Sequence, residues 1–367
     1  MNTTYELNNL RKDADLFDGK FSKTSPVVEV FSAMVKGQEL SKFGKKADTA
    51  VNYIKELGSR AELGDYSAVA ELNTLRRFVV ETPVMEEAKL LGIFGSYKHV
   101  GFDETIEREV YNTVGERSRE QAAGGDVVFP MPVKETYPVP TFTVSGGYAV
   151  DYRRIASGDM ERENEGLATV KADIRNRIVL AVVTRIHDAI KNATGIKYEF
   201  EAAGLTKTGV DDVLNKVRRN GRPTVVGDYA VLSQFGEWAG YTGAINGNTI
   251  TGISEKAMNE IAQDGTISMY KGTILKEIAN PYNEYELNAD GSNFKTLLPA
   301  GLAFVIPTGV KSPIETYTRG GLTSFTGNNV KTGKVETRFD LEVGCDIAKG
   351  HEHRIGMIYD TQVGGLE

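Results

Sequence analysis

Residues 127–142 read VVFPMPVKETYPVPTF, an apolar, extended-looking run that holds four of the chain's eleven prolines, Pro130, Pro132, Pro138 and Pro140. Val, Phe, Thr and Tyr favour a pleated, half-buried backbone. Each proline removes a backbone donor, which excludes the run from the middle of a sheet. It is therefore expected either as a rim strand or as an arm that finds its contacts on another chain.

The sequence on either side divides the rest of the chain. Upstream, GFDETIEREVYNTVGERSREQAAGGD (residues 101–126) is highly charged and closes on a glycine pair. Downstream, TFTVSGGYAVDYRRI (residues 141–155) is strand-like again. Residues 101–156 thus form a two-legged excursion, extended in its second half. The strongest helix follows at about 160–194, where Leu167, Val170, Ile174, Ile178, Val182, Ile186 and Ile190 recur at steps of three and four. Acids gather at its start, where the helix dipole favours them.

Residues 1–38 are polar and mixed and are expected as a loosely held arm. Three short helices should follow: one stopping at Gly58, one capped by Asp65, and one opened by Thr82 and Pro83. Between 205 and 310, helices alternate with strands. Asp228 and Ser254 are placed to cap helices, and PTVVG, ISMYKGTILKEI and GLAFVIPTG are placed as strands. In VETRFDLEVGCDI (335–347), Val335, Thr337, Phe339, Leu341, Val343, Cys345 and Ile347 face one way and the charged residues the other. HRIGMIYD is the partner strand expected for it. Residues 205–310 are expected as a compact α+β or α/β domain, and the chain as a whole as α+β.

With 367 residues, the chain can bury a large core and form two or three domains. A formal charge of −7 argues against a dedicated nucleic-acid binder. A single cysteine excludes an intrachain disulfide and a cysteine metal cluster. The N-terminus lacks the apolar core of a signal peptide, and no apolar run reaches a membrane span, so synthesis in a cytoplasm is expected.

Motifs of chemistry are scarce. GNNVKTGK (327–334) has the wrong glycine spacing for a phosphate loop and leads into a strand, so a hairpin turn explains it. His351 and His353 read as a solvated turn. Cys345 reads as small packing material. No acid pair sits in a recognisable hydrolase motif. No catalytic residue, cofactor or metal is expected.

The order of parts (helical arm, extended loop, spine helix, compact domain, closing strand) resembles the major capsid proteins of tailed bacteriophages, the Hong Kong 97-type fold. The resemblance covers about residues 80–360 and is carried by IVLAVVTRIHDAIKNATG, RPTVVGDYAVLSQF, MYKGTILKEIANP and ETRFDLEVGCDIAKGHEHRIGMIY in that order. It implies an N-terminal arm with short helices over 1–100, an E-loop over 101–156, a P-domain spine helix over 157–200, an A-domain over 201–312 and P-domain strands over 313–367. It also implies a non-enzymatic subunit of the virion, made in the bacterial host cytoplasm. That subunit assembles with itself, as hexamers and pentamers, into an icosahedral shell around double-stranded DNA held without sequence-specific contacts.

A separate scaffolding protein, a portal protein and decoration proteins are the partners the family suggests, with no membrane. On the same resemblance, Val127, Phe129, Pro130, Pro132, Pro138, Val139, Pro140 and Phe142 of the E-loop are expected to touch the neighbouring subunit. Lys134 and Asn328 or Asn329 do not match, residue by residue, the pair that crosslinks some family shells. An encapsulin-like nanocompartment is the alternative within the fold, and a carboxylate-dependent soluble enzyme the alternative outside it.

Overall fold

The computed structural model describes residues 26–35, 38–114, 120, 131–158, 161–245, 248–252, 254–288, 291–329 and 334–363. Three helices come first: α1 (Pro26–Val35), α2 (Lys45–Glu62) and α3 (Tyr66–Lys89). Val27, Val28, Val30 and Phe31 of α1 are buried and share a core with α2 and α3. This corrects the expectation of a loose arm as far as residue 38. PVVEVFSAMV is apolar enough to dock as soon as a second helix meets it.

Helix α2 does not stop at Gly58. A Cβ there would lie 2.8 Å from the backbone nitrogen of Ala156, so the glycine permits a close helix contact rather than ending the helix. Asp65 caps α3 as expected, accepting from the Ser67 amide at 2.9 Å. Thr82-Pro83 starts no new helix, because α3 runs through it. Leu72, Leu75 and Phe78 before the proline and Ala88 after it are all buried. That docking offsets the ~3 kcal/mol an interior proline costs.

Strands β1 (Ser96–Val100), β2 (Glu107–Val114), β3 (Met131–Pro138) and β4 (Thr141–Val150) precede the short α4 (Tyr152–Ser157) and the spine α5 (Glu161–Asn192). The spine has 32 residues, and at ~1.5 Å per residue it is about 48 Å long. All seven residues of its expected apolar face are buried.

The second half runs β5 (Tyr198–Ala202), α6 (Lys207–Arg218), β6 (Arg222–Gly227), α7 (Tyr229–Glu237), β7 (Tyr241–Ile245), β8 (Asn248–Gly252) and α8 (Glu255–Asp264). It continues with β9 (Met269–Tyr270), β10 (Thr273–Glu277), β11 (Tyr282–Leu287), β12 (Phe294–Thr296), β13 (Leu302–Thr308), β14 (Ile314–Asn329), β15 (Lys334–Ile347) and β16 (Gly356–Asp360). Asp228 and Ser254 cap α7 and α8 as expected. ISMYKGTILKEI is a hairpin rather than one strand, because Lys271 and Gly272 turn the chain at φ 46° and 76°.

Two sheets organise the molecule. One has the order β1-β14-β15-β4, and the other β5-β16-β13-β6-β10-β9. β15 pairs with β14 from Ile314↔Ile347 to Asn329↔Lys334. HRIGMIYD, expected beside β15, instead supplies β16 between β5 and β13. Its Gly356, Met357 and Ile358 are all buried. A strand covered on both faces belongs inside a sheet, whereas the alternating β15 keeps one open face. The first core joins α1–α3, the spine and the four-stranded sheet. The second fills the six-stranded sheet and its helices α6 and α7.

Candidate assembly interface

β2 and β3 form a two-stranded ribbon, Glu107↔Pro138 to Val114↔Met131, with no third strand among the described residues. The Val139 amide donates to the Ile106 carbonyl at 2.9 Å. Alternation in an antiparallel pair then turns the odd-numbered amides of β3 toward β2 and the even-numbered ones outward. Pro132 and Pro138 are even. Their missing donors fall on the free edge, where they cost no ladder bond and blunt a surface that would otherwise recruit strands indiscriminately. The extended run and its prolines are thus compatible because the run is a rim.

The two faces of the ribbon differ. On one, Glu107, Glu109, Tyr111, Lys134 and Thr136 are exposed, and Lys134 pairs with Glu109 at 2.6 Å. The other begins with buried Arg108, Val110 and Tyr137 and continues outward to Val133, 45% exposed, and Met131, 73% exposed. Asn112 and Glu135 share this face, with exposed Glu135 opposite Val110, so the open apolar pair Val133 and Met131 lies beyond a polar stretch, at the end where the ribbon runs off the molecule.

The root of this arm is polar and closed. Arg108 Nη1 donates to Asp346 Oδ2 at 2.8 Å and to the Asp346 carbonyl at 2.7 Å, while Nη2 donates to the Pro313 carbonyl at 2.7 Å. The Tyr137 hydroxyl donates to the same carboxylate at 2.8 Å. The Lys349 amide donates to Tyr137 at 3.3 Å, and its ammonium stands 4.4 Å from the ring centroid. Burial, with the Asp346 charge adding to it, pushes the Tyr137 phenol up to about 12. Beside it, Glu315 accepts from Lys98 at 3.0 Å and from Tyr317. Burial works against its ionisation, but these hydrogen bonds outweigh it and hold the carboxyl below its ordinary value.

Two of the expected neighbour-facing residues turn inward. Val139 is buried with Ile106 and Tyr317. Phe142 opposes Val343 in β4 and lies 3.6 Å from the Arg185 guanidinium carbon. Past exposed Pro140 the chain has already entered the four-stranded sheet, so its apolar side chains face their own spine. Val127, Phe129 and Pro130 lie outside the described residues. Met131 and Val133 were missed by sequence reasoning, as were Arg108 and its partners. A signal existed for Arg108: it occupies an inward position between Ile106 and Val110, and a buried charge needs a partner.

Further apolar tips are exposed elsewhere: Tyr282 and Leu287 on β11, Phe325 toward the end of β14, Leu63 just after α2 and Tyr66 at the start of α3. No group of three or more metal-ligating side chains occurs among the described residues. His351 precedes the 3₁₀ turn Glu352–Arg354 and His353 lies within it, with ring centroids 6.4 Å apart. Cys345 is buried, and burial pushes its thiol up to about 12. No helix among the described residues is long and apolar enough to cross a membrane.

Residues 6–359 match the family described as "SPbeta prophage-derived putative capsid protein YonB". No curated protein matches the chain. Among solved structures it is similar to a virus-like particle from Pyrococcus furiosus, at 9% identity and TM-score 0.44, covering 76% of this chain and 97% of that one. It is also similar to a structure from Mycobacterium phage Adephagia, at 13% identity and TM-score 0.46, covering 72% and 90%. The holo-SrpI encapsulin complex from Synechococcus elongatus shows 11% identity and TM-score 0.45, covering 76% and 89%.

Proposed function

The chain belongs to the YonB family of prophage-derived capsid proteins, and from that premise we propose that it is the major capsid protein of a tailed bacteriophage with the Hong Kong 97-type architecture. In this reading, residues 1–100 are the N-terminal arm and 101–156 the E-loop. The spine helix, 157–200, and the strands of 313–367 are the P-domain, and 201–312 the A-domain. Subunits close through hexamers and pentamers into an icosahedral shell around double-stranded DNA, with a separate scaffolding protein, a portal and decoration proteins as partners. Assembly takes place in the host cytoplasm. A net charge of −7 suits a lining that encloses DNA without gripping it, since phosphate contacts dominate such affinity.

The observation that carries the proposal is the arm, which is rooted through buried Val110 and Tyr137 and leaves Val133 and Met131 open toward its far end. Fully burying a Val or Met side chain contributes about 1.5–3 kcal/mol, so the partly exposed pair supplies roughly 2–3 kcal/mol to a neighbour. That is too little for a lone pair of subunits. A shell in which every copy gives and receives an arm, alongside other contacts, accumulates the area that stable interfaces need, about 1,600 Å² each.

The test is electron microscopy and sedimentation of the recombinant chain, alone and with a candidate scaffolding protein. Closed shells, or rings of five and six, are expected from the natural sequence. The double variant M131D/V133D should lose them while keeping its helix content and melting temperature. Shells from the double variant at undiminished yield would overturn the role of the arm. A clean monomer from the natural sequence under both conditions would overturn the shell reading itself.

A further inference from the structure

A cavity of about 190 Å³ lies at the root of the arm, between β2, the loop entering β14 and the 3₁₀ turn Glu352–Arg354. Arg108, Glu109, Lys311, Ser312, His351 and Arg354 are among its walls. Drug-sized ligands occupy pockets of about 300 Å³ and more, so this one has room for an ion or a single side-chain head group.

The charges around it do not cancel. Arg108 is committed to Asp346, and Glu109 to Lys134 at 2.6 Å. The Ser312 hydroxyl donates to the Ile314 carbonyl at 2.8 Å. The side chains of Lys311 and Arg354 form no hydrogen bond or ion pair with the described residues. Lys311 also acts on Glu109, which Lys134 already holds, so the positive charges of Arg108, Lys311 and Arg354 outnumber the one wall carboxylate. His351 registers the same field: burial first, then the positive charges of Arg354, His353 and Arg108, hold it below its ordinary value, with only Glu352 opposing. Charge-assisted hydrogen bonds from ammonium and guanidinium groups to an oxyanion are about twice as strong as neutral ones.

We propose that this cavity binds an oxyanion, a phosphate or a carboxylate group, between Lys311 and Arg354. Such an anion joins three segments at once: the first strand of the arm, the entry to the long β14, and the turn that leads from the four-stranded sheet to β16 in the six-stranded one. Its effect is to fix the arm against both sheets. The source is either free inorganic phosphate or an Asp or Glu of a second copy of this chain.

The first arm of the test titrates the full-length chain, dispersed as subunits, with sodium phosphate against sodium chloride at matched ionic strength. Melting temperature and the His351 imidazole, followed by NMR, are the two readouts. Saturable stabilisation and a rise in the His351 pKa are expected. K311Q/R354Q should lose phosphate affinity about tenfold or more while melting like the natural protein in chloride, because both side chains lie outside the core. The second arm determines the structure of assembled particles. A neighbour's carboxylate within about 4 Å of Arg354 identifies the second copy as the source. Phosphate binding that survives K311Q/R354Q unchanged would overturn the site. So would the absence of both a phosphate response and a neighbour's carboxylate. The phosphate arm needs no shell, so its outcome is separate from that of the capsid reading.

Discussion

Replacing Asp346 with alanine leaves the guanidinium of Arg108 and the phenol of Tyr137 without their shared acceptor. The carboxylate takes each of them at 2.8 Å, and Arg108 is only 3% exposed. Hydrogen bonds to a charged group contribute about 1.5–3 kcal/mol each, so two give about 3–6 kcal/mol. Breaking a buried ion pair by removing one partner costs about 3–5 kcal/mol. The two routes agree near 4 kcal/mol. Arg108 keeps the carbonyls of Asp346 and Pro313, 2.7 Å away, which hold its position but do not neutralise it.

The ribbon has no other strand partner among the described residues, so the cost falls on local opening of the arm rather than on the whole molecule. Native-state hydrogen exchange measures that opening. At 1.4 kcal/mol per tenfold, the amides that bond across the ribbon, the even-numbered ones of 108–114 and the odd-numbered ones of 131–137, should exchange about a hundred to a few thousand times faster in D346A, with the spine amides unchanged. Tyr137→Phe keeps the ion pair and should accelerate the same amides only about tenfold. Arm exchange within about threefold of the natural protein, or an equal rise along α5, would refute Asp346 as the anchor of the arm.

Gly58→Ala gains up to ~1 kcal/mol of helix propensity, but its Cβ would lie 2.8 Å from the Ala156 nitrogen. Denaturant melts should show a net loss of about 1–3 kcal/mol, and net stabilisation would contradict the close contact. Cys345, buried with its thiol pushed up to about 12, should ignore a disulfide reagent at pH 8 until the chain unfolds. Reaction at the rate of a free thiol would place it at the surface. Glu315, held below its ordinary 4.5, contributes stability above that value and loses it as pH falls through the lower folded value. Acid melts of Glu315→Gln should therefore be flatter below pH 4.5. Tyr137, raised from 10.0 to about 12, has the opposite sign, so stability drops as pH rises across that window, and Tyr137→Phe should remove that part of the alkaline loss.

Several elements were legible in the sequence because their signal is local. The three-and-four spacing from Leu167 to Ile190 fixes the spine, and the alternation from Thr337 to Ile347 fixes β15. Asp65, Asp228 and Ser254 fix helix starts within three residues of themselves. The arm was half legible: the prolines announced a rim, but the phase that turns Pro132 and Pro138 outward required the register with β2.

What only the tertiary structure decided is what depends on distant segments meeting. Arg108 and Asp346 are 238 residues apart, and no periodicity within either strand joins them. Gly58 meets Ala156 at a distance only a glycine allows, and α3 continues through Pro83 with buried side chains on either side of it. Val139 faces inward against Ile106 and Tyr317, and Phe142 does so because β4 has β15 to pair with, while Val133 and Met131 face outward because the ribbon by then has left the sheet. Hydrophobic period and capping chemistry act over a few residues of chain and can be read in order. Burial, pairing and close approach are properties of which surfaces come together, and the linear sequence does not order those surfaces.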